Sequence, residues 1–164
     1  MSFTIFVDAD SCPALVRKHI ISFCEKQSKY ANALFVSNRA IPLPALPKNA
    51  QIHICPQIEQ AADDYIFEHA QAHDAVITRD IPFAARLTKR DIICMNDRGT
   101  LFTKENIRER LSERDFNLNL VALGLGGSSK KSSYGQKEFK KFCDCFEREM
   151  QKLLIIAQYG PPRM

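Results

Sequence analysis

Residues 3–7 form an apolar run broken only by Thr4 and rich in aromatic and β-branched side chains, the composition of a buried strand. The run stops at Asp8. Pro13 suits the first turn of a helix, and Val16, Ile20, Phe23 and Cys24 recur behind it at helical spacing, so a strand leads straight into a helix. Residues 33–36 predict a second strand. Pro42, Pro44 and Pro47 exclude regular structure from the loop that follows, because each lacks an amide donor and has a fixed φ. A third strand is predicted at 52–55. Within 60–72, Ala62, Ile66 and Ala70 repeat every four residues and predict a second helix, followed by a fourth strand at 75–78. Phe83, Ala84 and Leu87 predict a short third helix, and 92–95 a fifth strand ending at Asn96 and Asp97.

Strand and helix alternating through short links, with strands apolar on both faces, predict an α/β fold. The expectation is a single three-layer domain over 1–157, a mostly parallel central sheet flanked by helices, with the strand ends named so far at one edge. Beyond the fifth strand, 104–111 reads as helical, and 120–133, rich in Gly and Ser with Lys130 and Lys131, reads as a mobile loop. Ser133 and Gln136 have capping-box spacing. Phe139, Phe142, Phe146, Met150 and Leu153 then mark a long amphipathic closing helix, its phenylalanines core rather than ligand site. The tail, 158–164, carries two prolines and little to bury, and is expected to be disordered. No internal repeat is present.

A chain of 164 residues with 45% hydrophobic composition can bury a core without staples. The balance of 23 Lys+Arg against 19 Asp+Glu, a net charge of +4, tolerates an anionic partner without demanding one. The six cysteines lack zinc-finger spacing and read as reduced, mostly buried thiols. No basic region precedes the first apolar run, and no run is long enough to span a membrane, which points to the cytoplasm.

Asp8, Asp10 and Asp80 each fall just past a predicted strand, where open parallel sheets bind ligands. Carboxylates packed together repel and raise one another's pKa unless a cation lies between them, and a hard divalent ion, Mg²⁺ or Mn²⁺, suits oxygen donors. Asp63 and Asp64 open the second helix, where the helix dipole favours an acid and where either can turn to the same edge. Each acid alone is as well explained as a cap or turn residue; as a set, burial without a partner would cost several kcal/mol. Ser11, Asn38 and Thr78 follow strands at that edge and can hydrogen-bond a carboxylate or a phosphate. Arg39, Arg79, Lys89 and Arg98 flank the same ends, where cations can hold nucleic-acid phosphates. Arg108, Arg110 and Arg114 alternate with Glu105, Glu109 and Glu113 and read as paired surface charge. Lys130, Lys131, Lys137, Lys140 and Lys141 form a denser basic patch that suits an anionic strand as well as it suits solubility. His69 and His73, four apart, sit at a helix end that favours cations, and Cys12 beside the acids reads as structural.

The heptapeptide Val7-Asp8-Ala9-Asp10-Ser11-Cys12-Pro13, with Ala62-Asp63-Asp64-Tyr65-Ile66, Thr78-Arg79-Asp80 and Arg98-Gly99, resembles the YaiI/YqxD family over nearly the whole chain through Phe142. That family is an uncharacterised bacterial group whose fold is similar to PIN domains, the metal-dependent ribonuclease fold. The resemblance implies Asp63 rather than Asp64 as the fourth ligand. It implies a nuclease in which Asp8, Asp10, Asp63 and Asp80 are catalytic and hold the metal, with RNA favoured; Ser11, Asn38, Thr78 and Arg98, from their places at the strand ends, are expected to contact substrate. Two departures stand out: Gln60 replaces an acid expected three residues before Asp63, and the glycine-rich segment after Arg114 lacks an expected arginine, which leaves 124–133 outside the expected site.

Two other classes fit part of the pattern. Asp8-x-Asp10 after a first strand also suits a haloacid-dehalogenase-like phosphatase with Asp8 as nucleophile, and Thr78 and Lys89 imitate its later motifs; against it, Cys12 stands where Thr or Val is usual and no cap insertion is visible. A non-catalytic module would use the acids for a structural metal and the lysines to dock nucleic acid or protein.

Overall fold

The computed structural model describes residues 1–125 and 133–163. Six strands, β1 (Phe3–Asp8), β2 (Ala31–Ser37), β3 (Ala50–Ile54), β4 (Ala75–Ile77), β5 (Ile93–Met95) and β6 (Leu101–Phe102), form one sheet in the order β3-β2-β1-β4-β5-β6. All neighbours are parallel except β5 and β6. Five α-helices cover it: α1 (Ala14–Lys26), α2 (Ala61–His69), α3 (Ile81–Leu87), α4 (Ile107–Ala122) and α5 (Gln136–Tyr159).

The two-residue period of the strands decides which layer each side chain joins. Phe3, Ile5 and Val7 of β1 pack with Val16, Ile20 and Cys24 of α1 and with Phe142, Phe146 and Met150 of α5. Phe6, between them, faces the other way, against Ile66 of α2 and Phe83 and Leu87 of α3. Ala75 and Ile77 of β4 join the first cluster and Val76 the second, so the molecule is a three-layer α/β domain. In α5, the buried Phe142, Cys145, Phe146, Met150, Leu153 and Ala157 make one stripe, which accounts for a 24-residue helix closing the fold.

Several boundaries differ from the sequence expectation. The second helix stops at His69 rather than 72, because the Asp74 carboxylate takes the Gln71 and Thr4 amides at 2.9 Å each and turns the chain into β4. The fourth helix starts at 107, not 104, where Thr103 and Asn106 exchange side-chain and backbone hydrogen bonds of 2.9 and 3.1 Å. It runs on to Ala122, into the segment read as loop; residues 126–132 of that loop lie outside the described residues. The closing helix is capped by Gly135, whose amide donates to Glu138 Oε2 at 2.9 Å, not by Ser133 with Gln136. It also takes the first two residues of the expected tail, while Met164 lies outside the described residues. Two-residue β6 is too short to show a period. It is reached through a turn in which Asn96 Oδ1 accepts the Arg98 and Thr100 amides at 2.9 Å. That turn demands glycine: Gly99 has φ +82, and a Cβ there would stand 2.3 Å from the Lys141 carbonyl oxygen of α5.

Candidate functional site

The chain enters the sheet at β1, moves outward to β2 and β3, then crosses back to β4 on the other side, so the strand order reverses between β1 and β4. In open parallel sheets a crevice forms at the carboxyl ends of the strands flanking such a reversal. Asp8 ends β1, and a 3₁₀ turn, Ala9–Ser11, holds Asp10 and Ser11. Asp80 caps α3 just past β4, Asp63 lies in the first turn of α2, and Asn38 follows β2. These six residues line one pocket of about 540 Å³, together with Glu59, Gln60, Arg86 and Arg114.

Hydrogen bonds tie the acids to the scaffold. The Asp80 amide donates to Thr78 Oγ1 at 3.1 Å, and the Thr78 hydroxyl donates to Asp8 Oδ2 at 3.2 Å. Asp80 Oδ1 accepts the Phe83 amide at 2.9 Å, an N-cap that holds the carboxylate at the helix start. Asp10 Oδ2 accepts the Asn38 amide at 2.8 Å, while its Oδ1 is buried with no hydrogen bond and has Arg39 Nε 3.8 Å away. Asn38 Oδ1 is likewise buried without a partner. Burial pushes the Asp8 carboxyl up to about 6 despite the Thr78 hydrogen bond, and the Asp10 and Asp80 charges push the same way. Asp63 is pushed up to about 7, by burial first and then by Asp8, Asp80 and Asp64. Gln60 holds a left-handed φ of 65 without being glycine, a conformation that non-glycine residues adopt rarely and often near functional sites.

This donor set consists of oxygen atoms, with an orphaned carboxylate oxygen on Asp10 and two carboxyls, Asp8 and Asp63, pushed up by burial first and by their acidic neighbours second. It fits a hard divalent cation such as Mg²⁺ or Mn²⁺ better than a soft metal. Among the described residues no three His, Cys, Asp or Glu side chains stand close enough together to hold a metal ion as they are. The pocket gathers the acids along its wall instead.

Of the other expected site residues, Thr78 is buried beneath the pocket and acts on it through Asp8 and Asp80. Arg98 does not line it; its guanidinium lies 5.8 Å from the Tyr134 ring, beside the start of α5. Arg79 donates from Nε at 2.7 Å and from Nη2 to the buried Asp97 carboxylate. Lys89 precedes β5, at the opposite edge of the sheet from the acids. Lys137, Lys140 and Lys141 are exposed on α5, while Lys130 and Lys131 lie outside the described residues. The cysteines are free thiols, all buried except half-buried Cys143, and burial pushes Cys12 up to about 12, which removes it as a nucleophile. Sequence reasoning missed Glu59, Arg86 and Arg114. Arg114 does pair with a neighbouring acid, Asp115 at 3.6 Å, yet it also lines the pocket. Its place follows from the length of α4, which no apolar period announces. No helix of the described residues is long and apolar enough to cross a membrane.

A family model described as "Uncharacterized BCR, YaiI/YqxD family" matches residues 6–152. A UPF0178 protein of Treponema pallidum (strain Nichols) is 41% identical over 155 residues, 94% of this chain and 85% of the relative. A UPF0178 protein of Treponema denticola is 41% identical over 150 residues, 92% of this chain and 93% of its own length. One from Psychromonas ingrahamii is 40% identical over 154 residues, 91% and 96% respectively. No solved structure matches the chain.

Proposed function

This chain belongs to the YaiI/YqxD family, and from the acid pocket at its sheet edge we propose a divalent-metal-dependent phosphodiester hydrolase, with RNA as favoured substrate. The observation that carries this reading is the convergence of Asp8, Asp10, Asp63 and Asp80, from four separate chain segments, on one pocket at the reversal of strand order. Preference for RNA rests on analogy with the PIN-like fold that the motifs resemble.

In this reading Asp8, Asp10, Asp63 and Asp80 hold Mg²⁺ or Mn²⁺. Bound there, the ion would supply Lewis-acid charge at the phosphate and lower the pKa of the attacking water. Thr78 orients the Asp8 carboxylate through its hydroxyl and holds the Asp80 backbone through the amide it accepts, so one side chain ties both acids to the end of β4. Asn38 fixes Asp10 through its backbone amide. Arg86, which lines the same pocket, supplies a guanidinium for the non-bridging phosphate oxygens, which such groups bind in pairs. Hydrolysis joins a water oxygen to phosphorus, breaks the ester P–O bond and leaves a proton on the departing oxygen.

Calorimetric titration of Mn²⁺ into the wild type and Asp80→Asn, with circular dichroism as a fold control, tests the shared premise. Asn can still cap α3, so the substitution removes charge rather than the helix start. Binding in the wild type that disappears in Asp80→Asn, with Mn²⁺-dependent cleavage of a labelled oligoribonucleotide lost alongside it, is the expected result. Cleavage that survives both Asp8→Asn and Asp80→Asn refutes the assignment, and a trapped aspartyl-phosphate on Asp8 replaces it with the phosphatase reading.

A further inference from the structure

Helix α4 is anchored only at its start, where Ile107 is buried and Leu111 packs half-buried against the α3 side of the core. The rest stands away from the core. Its face turned back toward the molecule carries Arg110, Glu113, Arg114, Asn117, Leu118 and Val121, positions that share one side of a helix, with the Glu113 carboxylate drawn to Arg110 at 3.8 Å. A face that ordinarily buries leucines here presents two guanidinium groups to a groove of about 360 Å³. The opposite wall is Arg79, Ile81 and Asn96, at the carboxyl edge of β4 and β5.

This groove adjoins the acid pocket. Arg114 lines both cavities, and along the start of α3 successive residues divide between them: Arg79 and Ile81 border the groove, Asp80 and Pro82 the pocket. Arg79, Arg110 and Arg114 have side chains 44%, 43% and 41% exposed, and each pairs with an acid, Asp97, Glu113 and Asp115 respectively. The two α4 pairs, 3.8 and 3.6 Å long and open to water, are worth little and give way readily to a phosphate. Arg110 and Arg114 stand about 6 Å apart along the helix axis, a step comparable to that between successive phosphates of one nucleic-acid strand. Ile81, Leu118 and Val121 add apolar surface for the bases between them.

We propose that this groove is the backbone track of a single-stranded nucleic acid, with Arg110 and Arg114 each holding one phosphate beside the strand's entry to the acid pocket. The inference rests on the proposed phosphodiester hydrolase and names how its substrate is held: by phosphate contacts that do not read sequence, on one strand, on the α4 side of the acids.

Fluorescence anisotropy with labelled oligouridine and oligodeoxythymidine, over a salt series in EDTA and again in Mn²⁺, tests it. Three proteins are compared: wild type, Arg110→Ala/Arg114→Ala, and Arg108→Ala, whose exposed side chain borders neither cavity. Loss of two phosphate contacts reduces the slope of log K against log salt by about 1.4 for a single strand. The expected result is that reduction in the double variant, with at least about tenfold weaker binding at low salt, wild-type behaviour in Arg108→Ala, and Mn²⁺ still bound by all three. A double variant with wild-type slope and affinity overturns the proposal, as does absence of oligonucleotide binding by the wild type in both EDTA and Mn²⁺. Loss of Mn²⁺ binding in the wild type overturns the hydrolase reading instead, and the slopes in EDTA still report on the groove.

Discussion

Replacing Asp8 with Asn should make the metal-free protein more stable while removing the proposed cation site. Asp8 is half-buried, and its carboxyl is pushed from an ordinary value of 3.8 to about 6, chiefly by burial. A carboxyl that binds its proton more tightly in the fold supports the fold fully below 3.8 and withdraws that support as pH rises through 6. At full weight the loss at neutral pH is about 3 kcal/mol; with the solvent contact that Asp8 keeps, about 1 to 2 kcal/mol is the working figure. Asn keeps an oxygen for the Thr78 hydroxyl, now 3.2 Å from Asp8 Oδ2, and carries no charge. For a chain of this size the Tm should rise by about 2 to 8 °C at pH 7.5 in EDTA. Near pH 4 the gain should vanish, because the wild-type carboxyl is then protonated. Mn²⁺ should reverse the order, stabilising the wild type by about 2.7 kcal/mol at a hundred times its Kd and leaving the variant unmoved. Differential scanning fluorimetry across pH, with and without Mn²⁺, measures all of this. A variant less stable than wild type at pH 7.5 in EDTA, or a gain independent of pH, refutes the account of Asp8.

Three further outcomes follow from single contacts. Gly99→Ala should lose at least about 2 kcal/mol in urea unfolding, since it combines a positive φ with a Cβ 2.3 Å from the Lys141 carbonyl oxygen; stability within error of wild type would contradict that packing. Arg79→Ala should cost about 3 to 5 kcal/mol by leaving the buried Asp97 carboxylate without its guanidinium, with Asp97→Asn in the same chain recovering part of it; no recovery would place the loss elsewhere. With a thiol reagent under native conditions only Cys143, half-buried, should react quickly, and all six thiols should react after denaturation; rapid native labelling of Cys12 would contradict its burial.

The strands and the first three helices were legible because each is a short apolar stretch whose period differs from its neighbours'. β1 shows why: Ile5 and Val7 face one layer and Phe6 the other, so a near-continuous apolar run means a strand buried on both sides. Helix α4 was not legible beyond its first turn, because most of its length buries nothing and hence writes no period. β6 escaped for the opposite reason, being only two residues long and held by antiparallel pairing to β5.

The acids of the pocket were legible for a topological reason. A parallel sheet brings all its strand ends to one edge, so Asp8, Asp10 and Asp80 had to lie near one another once the alternation was read, whatever the details of packing. Asp63 sits on a helix rather than at a strand end, and only its resemblance to a family pattern separated it from Asp64. The two differ in setting: Asp63 lines the pocket, while Asp64 pairs with Arg86 Nη1 at 3.4 Å on the surface. The cations that line the pocket with the acids had no such signature. Arg114 reads in the sequence as part of an alternation of surface charge with Glu105, Glu109 and Glu113, and Arg86 stands in no motif. Their role depends on where α3 and α4 come to rest against the sheet. Residues that follow strands can therefore be assigned to a parallel-sheet site from order along the chain alone, whereas residues on the helices across from it require the angle at which those helices stand.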